Sequence, residues 1–319
     1  MNSNITPILV IGAAGFVGGY LLEECKKQNL EVYATKLKHE SIAHPNHGVY
    51  DLNLLDKDNI DDVLRNVKPK SIINLSAQSS VGLSWKNPQL TVDVNIKGVV
   101  KLLECVKVYD TSIRILMISS SEEYGKQVSE ECYITETYPT NPSNPYAVTK
   151  ACQTMFSKLY CESYGMDIIT MRAFNHIGPG QSLGFVVPDF CQQIVDIENG
   201  LKDTKLHVGN LDACRDFSDV RDIVKGYLGV LKFGKANEIY NIGSGEAISI
   251  KQILDKLLAF TKRKIDVVID GEKFRPNDVR IIEANIDKLK NDTGYQPEIS
   301  IDQTLEETLQ YFRDKNKGE

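Results

Sequence analysis

Tyr146 and Lys150 stand four residues apart in the stretch Asn141-Pro142-Ser143-Asn144-Pro145-Tyr146-Ala147-Val148-Thr149-Lys150. On a helix this spacing sets a phenol and an ammonium on one face, one turn apart. A neighbouring ammonium favours the ionised phenol, so the Tyr146 pKa is expected to fall from its ordinary value of about 10. Such a phenol exchanges protons with a substrate hydroxyl near neutral pH. The helix has its own start and stop signals. Asn144 is placed as N-cap, Pro145 sits where a missing N–H is harmless, and Gly165 follows Tyr164 as a C-terminal stop. Taken alone, the Tyr-x-x-x-Lys spacing also fits an ordinary exposed helix face.

A second chemical group lies at the start of the chain. Pro7 to Ile11 is an unbroken apolar run, as in a strand buried on both faces. Gly12, Gly15 and Gly18 follow in Gly-Ala-Ala-Gly-Phe-Val-Gly. An amphipathic helix then begins, with Leu21, Leu22 and Cys25 inward. Strand, glycine turn and helix together aim backbone N–H groups at a pyrophosphate. Gly12, Gly15, Phe16, Val17 and Gly18 are therefore expected to bind a dinucleotide.

The next strands extend that reading, because ligands bind off the carboxyl ends of strands in such sheets. Glu31 to Thr35 reads as the second strand, continued by Lys36, Leu37 and Lys38 without an acid. An acid there binds a ribose 2′-hydroxyl and a base accommodates a 2′-phosphate, so Thr35 and Lys36 favour NADP(H), with NAD(H) possible. Val49 to Leu52 is a third strand, with Asp51 and Leu52 placed near the adenine. Ser71 to Ser76 is a fourth, which puts Leu75, Ser76 and Ala77 at the cofactor and Ser79 toward the substrate. Ile113 to Ile118 is a fifth, opening onto Ser119-Ser120-Ser121-Glu122-Glu123-Tyr124-Gly125. Pro88 to Tyr109 reads as one long helix carrying Asn95.

These elements define an α/β fold: a Rossmann-type, doubly wound parallel sheet with a smaller C-terminal α/β substrate lobe. The dinucleotide-binding domain is expected over 1–172 and the substrate lobe over 173–319, with 216–246 returning to the first through a strand at Glu238 to Ile242. No Pro-, Ser- or Gly-rich linker separates them, so the lobe packs on the first domain. With 319 residues the chain can bury a sizeable core. A net charge of −6 without a long basic run argues against nucleic acid or an anionic membrane as partner. No apolar run reaches membrane length, and Met1 to Thr6 does not read as a signal peptide, so a cytoplasmic location is expected. Seven scattered cysteines without a Cys-x-x-Cys pair give no sign of a disulfide framework or metal site.

The glycine turn, the serine turn and Tyr-x-x-x-Lys, in this order and context, resemble the extended short-chain dehydrogenase/reductase family over essentially the whole chain. The resemblance implies NAD(P)-linked chemistry on nucleotide sugars. It makes Tyr146 the general acid/base and Lys150 the group that holds the nicotinamide ribose. Ser120 would hydrogen-bond the reacting oxygen, with Asn95 nearby. Arg172 to Gln181, Arg215-Asp216-Phe217 and Arg275-Pro276-Asn277-Asp278-Val279 are similar to the GDP-mannose branch of that family, its 4,6-dehydratases and 4-keto reductases. By that likeness Asn175, Arg215 and Arg275 meet the substrate diphosphate, which suits guanidinium geometry. Ser121, Glu122 and Asp278 also contact the substrate, and His176 touches the cofactor. Where the family carries Glu in Arg-Pro-x-Glu-Val, this chain carries the shorter Asp278. A homodimer through the two long helices is implied as well.

Three functions follow for comparison. A reductase of a GDP-4-keto-6-deoxyhexose needs a hydride and one proton donor. A 4,6-dehydratase needs an added base at C5, for which Glu122 stands in the right place. A non-catalytic dinucleotide sensor needs none of Ser120, Tyr146 and Lys150. Ser182 to Phe185 and the double Glu resemble the reductases, while the C4 configuration of the product, the base of the nucleotide and a C4 epimerase remain open.

Overall fold

The computed structural model describes residues 5–43, 47–125, 133–273 and 281–317. Its elements follow the apolar runs. They are β1 (Ile8–Ile11), α1 (Phe16–Lys27), β2 (Val32–Lys36), β3 (Gly48–Asp51), α2 (Lys57–Val67), β4 (Ser71–Asn74), α3 (Val81–Lys86), α4 (Pro88–Val92) and α5 (Val99–Tyr109). Then come β5 (Arg114–Ser120), β6 (Tyr133–Ile134), α6 (Pro145–Tyr164), β7 (Ile168–Ala173), β8 (Asn175–Ile177), α7 (Val186–Glu198), β9 (Lys205–Val208), β10 (Cys214–Asp219), α8 (Val220–Phe233) and β11 (Ile239–Ile242). The chain closes with β12 (Ala247–Ser249), α9 (Ile250–Ala259), β13 (Asp266–Ile269), β14 (Ile281–Ala284), α10 (Asp287–Thr293) and α11 (Ile301–Lys317).

Seven strands form one sheet in the order β11-β7-β5-β4-β1-β2-β3, and every pairing in it is parallel. Parallel strands need helical cover on both faces. Leu21, Leu22 and Cys25 of α1 pack with Ile223 and Tyr227 of α8 on one face. Leu64 of α2, Leu102 and Val106 of α5 and Tyr160 of α6 fill the other. The direction of winding reverses between β1 and β4, and a crevice opens there at the carboxyl ends of the strands. This is the doubly wound sheet expected from the apolar runs.

A smaller sheet runs β12-β10-β14-β6, with β8 also paired to β10, and β13 pairs β9 separately. Helices α7, α9 and α11 pack over these strands through Phe190, Ile194, Leu254 and Leu309. The chain crosses back to the large sheet through α8 and β11, while Cys214–Asp219 stay in the small one. Of the strands the sequence did not suggest, β6, β8, β12, β13 and β14 are two to four residues long, too short for a period-two pattern to show; β10 is longer, but Arg215, Asp216 and Asp219 break its apolar pattern.

The helix expected over Pro88 to Tyr109 is continuous but not regular. Asp93–Gly98 makes a π-helical stretch between α4 and α5. Such stretches within α-helices often mark functional positions. Here the wider turn carries Asn95 inward, fully buried against the loop after β4.

Candidate active site

Helix α6 begins as its caps require. The Asn144 side chain accepts from the Ala147 N–H at 2.8 Å, and Gly165 closes the helix in the left-handed conformation at φ 65°. Tyr146 and Lys150 thus lie on one inward face, and both line the cavity between the two sheets together with Ser120 and Glu122. The cavity holds about 810 Å³, at the upper end of small-molecule sites. Its floor runs from the glycine turn past Tyr146 to Asn175, His176 and Arg215.

The glycine turn fits a dinucleotide phosphate. Gly12 has φ +77°, and a Cβ there would stand 2.9 Å from the Ser76 nitrogen. A Cβ on Gly18 would lie 2.6 Å from the Ala13 carbonyl carbon. The start of α1 at Gly15 has no side-chain cap and no acid in its first turn. A helix N-terminus in that state favours an anion. Gly15, Phe16, Val17 and Gly18 line the cavity there, and Leu52, Leu75, Ser76, Ala77 and Ser79 line it alongside. Phe16 stacks on His176 with ring centroids 6.4 Å apart, and His176 Nδ1 bonds the Phe174 carbonyl at 3.0 Å. Burial lowers the His176 pKa, which keeps the ring neutral and unsuited to hold a proton.

Several expected positions differ. Thr35 is buried, and its hydroxyl accepts the Gly12 N–H at 3.3 Å, so it supports the glycine turn from below. Lys36 lies on the cavity wall but pairs with Asp51 at 2.6 Å, across the register in which these two residues face each other on β2 and β3. Asp51 was expected near the adenine; its carboxylate is engaged by Lys36 instead. The strand end read as lacking an acid has one close by. Glu40 reaches back to accept the Leu37 N–H at 2.8 Å and lines the same end of the cavity. The signal was four residues beyond Lys36, past the turn.

Asn95 does not face the cavity. Its carbonyl oxygen accepts from the Gln78 N–H at 2.8 Å, and its amide donates to the Gln78 carbonyl at 3.1 Å and to Thr149 Oγ1 at 2.9 Å. It fastens the loop after β4 to α6. Ser121 is buried within the 3₁₀ turn Ser121–Tyr124, off the cavity wall. Arg275 and Asp278 lie outside the described residues.

Burial dominates the electrostatics of the central pair. The Tyr146 phenol is pushed well above its ordinary value by burial, with Glu122 and Glu123 adding and a hydrogen bond from Ser120 opposing. This reverses the expected fall. Lys150 Nζ donates to the Ile118 carbonyl at 2.8 Å and to Gln153 Oε1 at 3.0 Å, and sits 5.9 Å from the Tyr146 ring centroid. Burial pulls Lys150 down to about 8 against the pull of Glu123. At neutral pH the site therefore holds a protonated phenol beside an ammonium. Glu122 is held as well: Asn144 Nδ2 donates to its Oε2 at 2.8 Å.

The family described as GDP-mannose 4,6 dehydratase matches residues 9–308. The chain belongs to that family. Its relatives are dehydratases, reductases and epimerases of sugar nucleotides, and the chain is an NAD(P)-dependent enzyme of the oxidoreductase type. It is 30% identical over 312 residues to GDP-6-deoxy-D-mannose reductase of Pseudomonas aeruginosa, covering 98% of this chain and 99% of that one. It is 28% identical to a GDP-mannose 4,6-dehydratase of Vibrio cholerae, over 94% of this chain and 92% of the relative. Among solved structures, RMD from Pseudomonas aeruginosa complexed with NADPH superposes with TM-score 0.86 at 30% identity, covering 97% of this chain and all of the other. UDP-glucose 4-epimerase of Thermus thermophilus in complex with NAD superposes at 0.85 with 26% identity, over 96% and 98%. Among the described residues no helix is long and apolar enough to cross a membrane.

Proposed function

We propose that the chain is a cytoplasmic reductase that converts the C4 ketone of a GDP-4-keto-6-deoxyhexose to the alcohol. The observation that carries this reading is the end-to-end correspondence with the Pseudomonas reductase, without a long unmatched segment in either chain. The protonated state of Tyr146 supports it, since a reduction needs a proton donor at the ketone oxygen.

In this reading residues 1–172, with the returning α8 and β11, bind the dinucleotide, and the remainder of 173–319 holds the nucleotide sugar. Gly12, Gly15, Phe16, Val17 and Gly18 hold the pyrophosphate, and Leu52, Leu75, Ser76, Ala77 and Lys150 hold the rest of NADP(H) or NAD(H). When bound, the reduced nicotinamide supplies the hydride. Tyr146 donates its proton to the oxygen at C4 as negative charge builds there, and Ser120, already bonded to the phenol, orients it. Lys150 leaves its tie to Gln153 and the Ile118 carbonyl to serve the ribose. Asn175 and Arg215 project into the far end of the cavity, where a diphosphate would complement the guanidinium.

The dehydratase is the second reading, favoured by Glu122 on the cavity wall near Tyr146 and Ser120. Elimination needs that carboxylate as base at C5; reduction does not. In the structure Glu122 bonds Asn144, the cap of the Tyr146 helix, which gives it a positioning role. Glu122→Gln preserves an oxygen for that bond. It is expected to keep reduction of the keto sugar within about tenfold of wild type, against the larger loss general acid–base groups cause. Steady-state kinetics of the variant check this; a 4-keto product from GDP-mannose and NADP that forms with wild type and is abolished in Glu122→Gln would support the dehydratase.

A further inference from the structure

Beneath the cavity wall lies a buried group that the proposed chemistry does not use. Glu123 is fully buried, next to Glu122 in the serine turn. Its Oε2 accepts from Arg172 Nε at 3.1 Å and Nη2 at 3.0 Å. Its Oε1 accepts from Thr154 Oγ1 at 2.7 Å and from Ser119 Oγ. Arg172, also buried, donates to Tyr124 Oη at 3.0 Å and to the Glu136 carbonyl at 3.1 Å. Tyr124 in turn donates to Asn241 Oδ1 at 2.7 Å. One carboxylate thus ties together β5, the serine turn, α6 and β7, with β11 reached through Tyr124.

A buried ion pair stabilises a fold little better than apolar side chains of the same size, so stability alone is a weak reason for it. Its location offers another. Ser119 precedes Ser120, and its hydroxyl also reaches the Lys150 carbonyl at 3.4 Å. Thr154 lies one helical turn beyond Lys150, on the same face of α6. Both bonds to Glu123 Oε1 therefore come from neighbours of the proton-transfer group, while Oε2 is held by Arg172.

We propose that Glu123, gripped by Arg172, is a positioning residue for that group. Through Ser119 and Thr154 it fixes the serine turn against the helix carrying Tyr146 and Lys150, and it places a negative charge behind the Lys150 ammonium. The charged and titratable groups around it bear this out. Lys150 and Tyr146 come from α6, Glu122 and Tyr124 from the serine turn, and Arg172 from β7. Glu136, near Tyr124, is occupied at its carboxylate by the Asn241 N–H at 2.9 Å. Of these, Glu123 is the charge that opposes the burial of Lys150. Removing it leaves that burial unopposed, so the ammonium gives up its proton at lower pH.

The proposal rests on Lys150 as a cofactor-holding ammonium, and the test separates the two. NADPH affinity of the full chain, without sugar, is measured by fluorescence titration from about pH 6 to pH 10, across the ordinary lysine range and below it. In wild type the affinity is expected to fall as pH rises through about 8. In Glu123→Gln the midpoint is expected to move down by about one pH unit, and Glu123→Asp, which restores the charge, should bring it back. A merely structural role would lower the melting temperature of both variants without moving the midpoint. Should Glu123→Gln fail to fold, Thr154→Val keeps the ion pair and removes one tie. It is expected to lose about tenfold in kcat, with the NADPH midpoint unmoved. A pH-independent wild type would overturn the role of Lys150 and the proposal with it. A pH-dependent wild type with an unmoved Glu123→Gln midpoint would overturn the proposal alone, as would a Thr154→Val variant with wild-type kcat.

Discussion

Tyr146→Phe is expected to lower turnover by about 10²–10⁴-fold, the range typical of a lost general acid, while NADPH binding stays close to wild type. The side chain is 8% exposed and packed at the start of α6, so the Phe ring fills the same space and the helix keeps its Asn144 cap. What is lost is one hydroxyl. Ser120 loses its bond to the phenol but keeps the Glu122 N–H, a change that costs about 1 kcal/mol of stability, too little to unfold the chain. The ketone oxygen loses the proton donor assigned to it, and neither Lys150, which serves the ribose in this reading, nor His176, kept neutral by burial, replaces it. Steady-state kinetics alongside a cofactor titration check the split. Activity within tenfold of wild type would remove Tyr146 from the role.

Gly18→Ala is expected to cripple cofactor binding without changing the reacting group. A single methyl there would lie 2.6 Å from both the carbonyl carbon and the Cα of Ala13. These are backbone atoms of the glycine turn, and they cannot swing aside as a side chain tip does. Overpacking of this kind costs about 1–3 kcal/mol. The strain falls where α1 meets the turn, so it moves the backbone of Gly15, Phe16 and Val17, which line the cavity there. If that strain is released by opening the turn, NADPH affinity falls about 10–100-fold. Calorimetric titration checks this, with circular dichroism to show a retained fold. An unchanged affinity would mean that the turn is not a phosphate cradle.

What could be read from residues alone was what local spacing controls. β1, β4, β5 and β7 are buried on both faces and stand out as apolar runs. Asn144, Pro145 and Gly165 bound α6 by chemistry that acts within a turn. The glycine turn needed only its flanking strand and helix. What escaped depends on contacts between distant segments. The Lys36–Asp51 pair follows from the register of β2 against β3. The inward turn of Asn95 follows from a π-helical stretch anchored on Gln78. The pair of Glu123 and Arg172 joins residues 49 apart in sequence. The direction of the Tyr146 shift was misread for the same reason. Spacing shows that an ammonium is near, but not that the cavity wall buries both groups and that neighbours hold the ammonium elsewhere. Arg275 and Asp278 lie outside the described residues, so their expected places at the substrate stay with the sequence.

The most direct test of the reductase reading is to incubate the wild-type chain with GDP-4-keto-6-deoxymannose and NADPH. Absorbance follows the cofactor, and NMR identifies the sugar. A reductase consumes one NADPH for each molecule of product and leaves an alcohol at C4, whereas a dehydratase returns its hydride within the same turnover. The account predicts stoichiometric loss of NADPH with formation of the GDP-6-deoxyhexose, and no 4-keto product when the chain is given GDP-mannose and NADP instead. No oxidation of NADPH by the keto sugar, together with a 4-keto product from GDP-mannose, would contradict it.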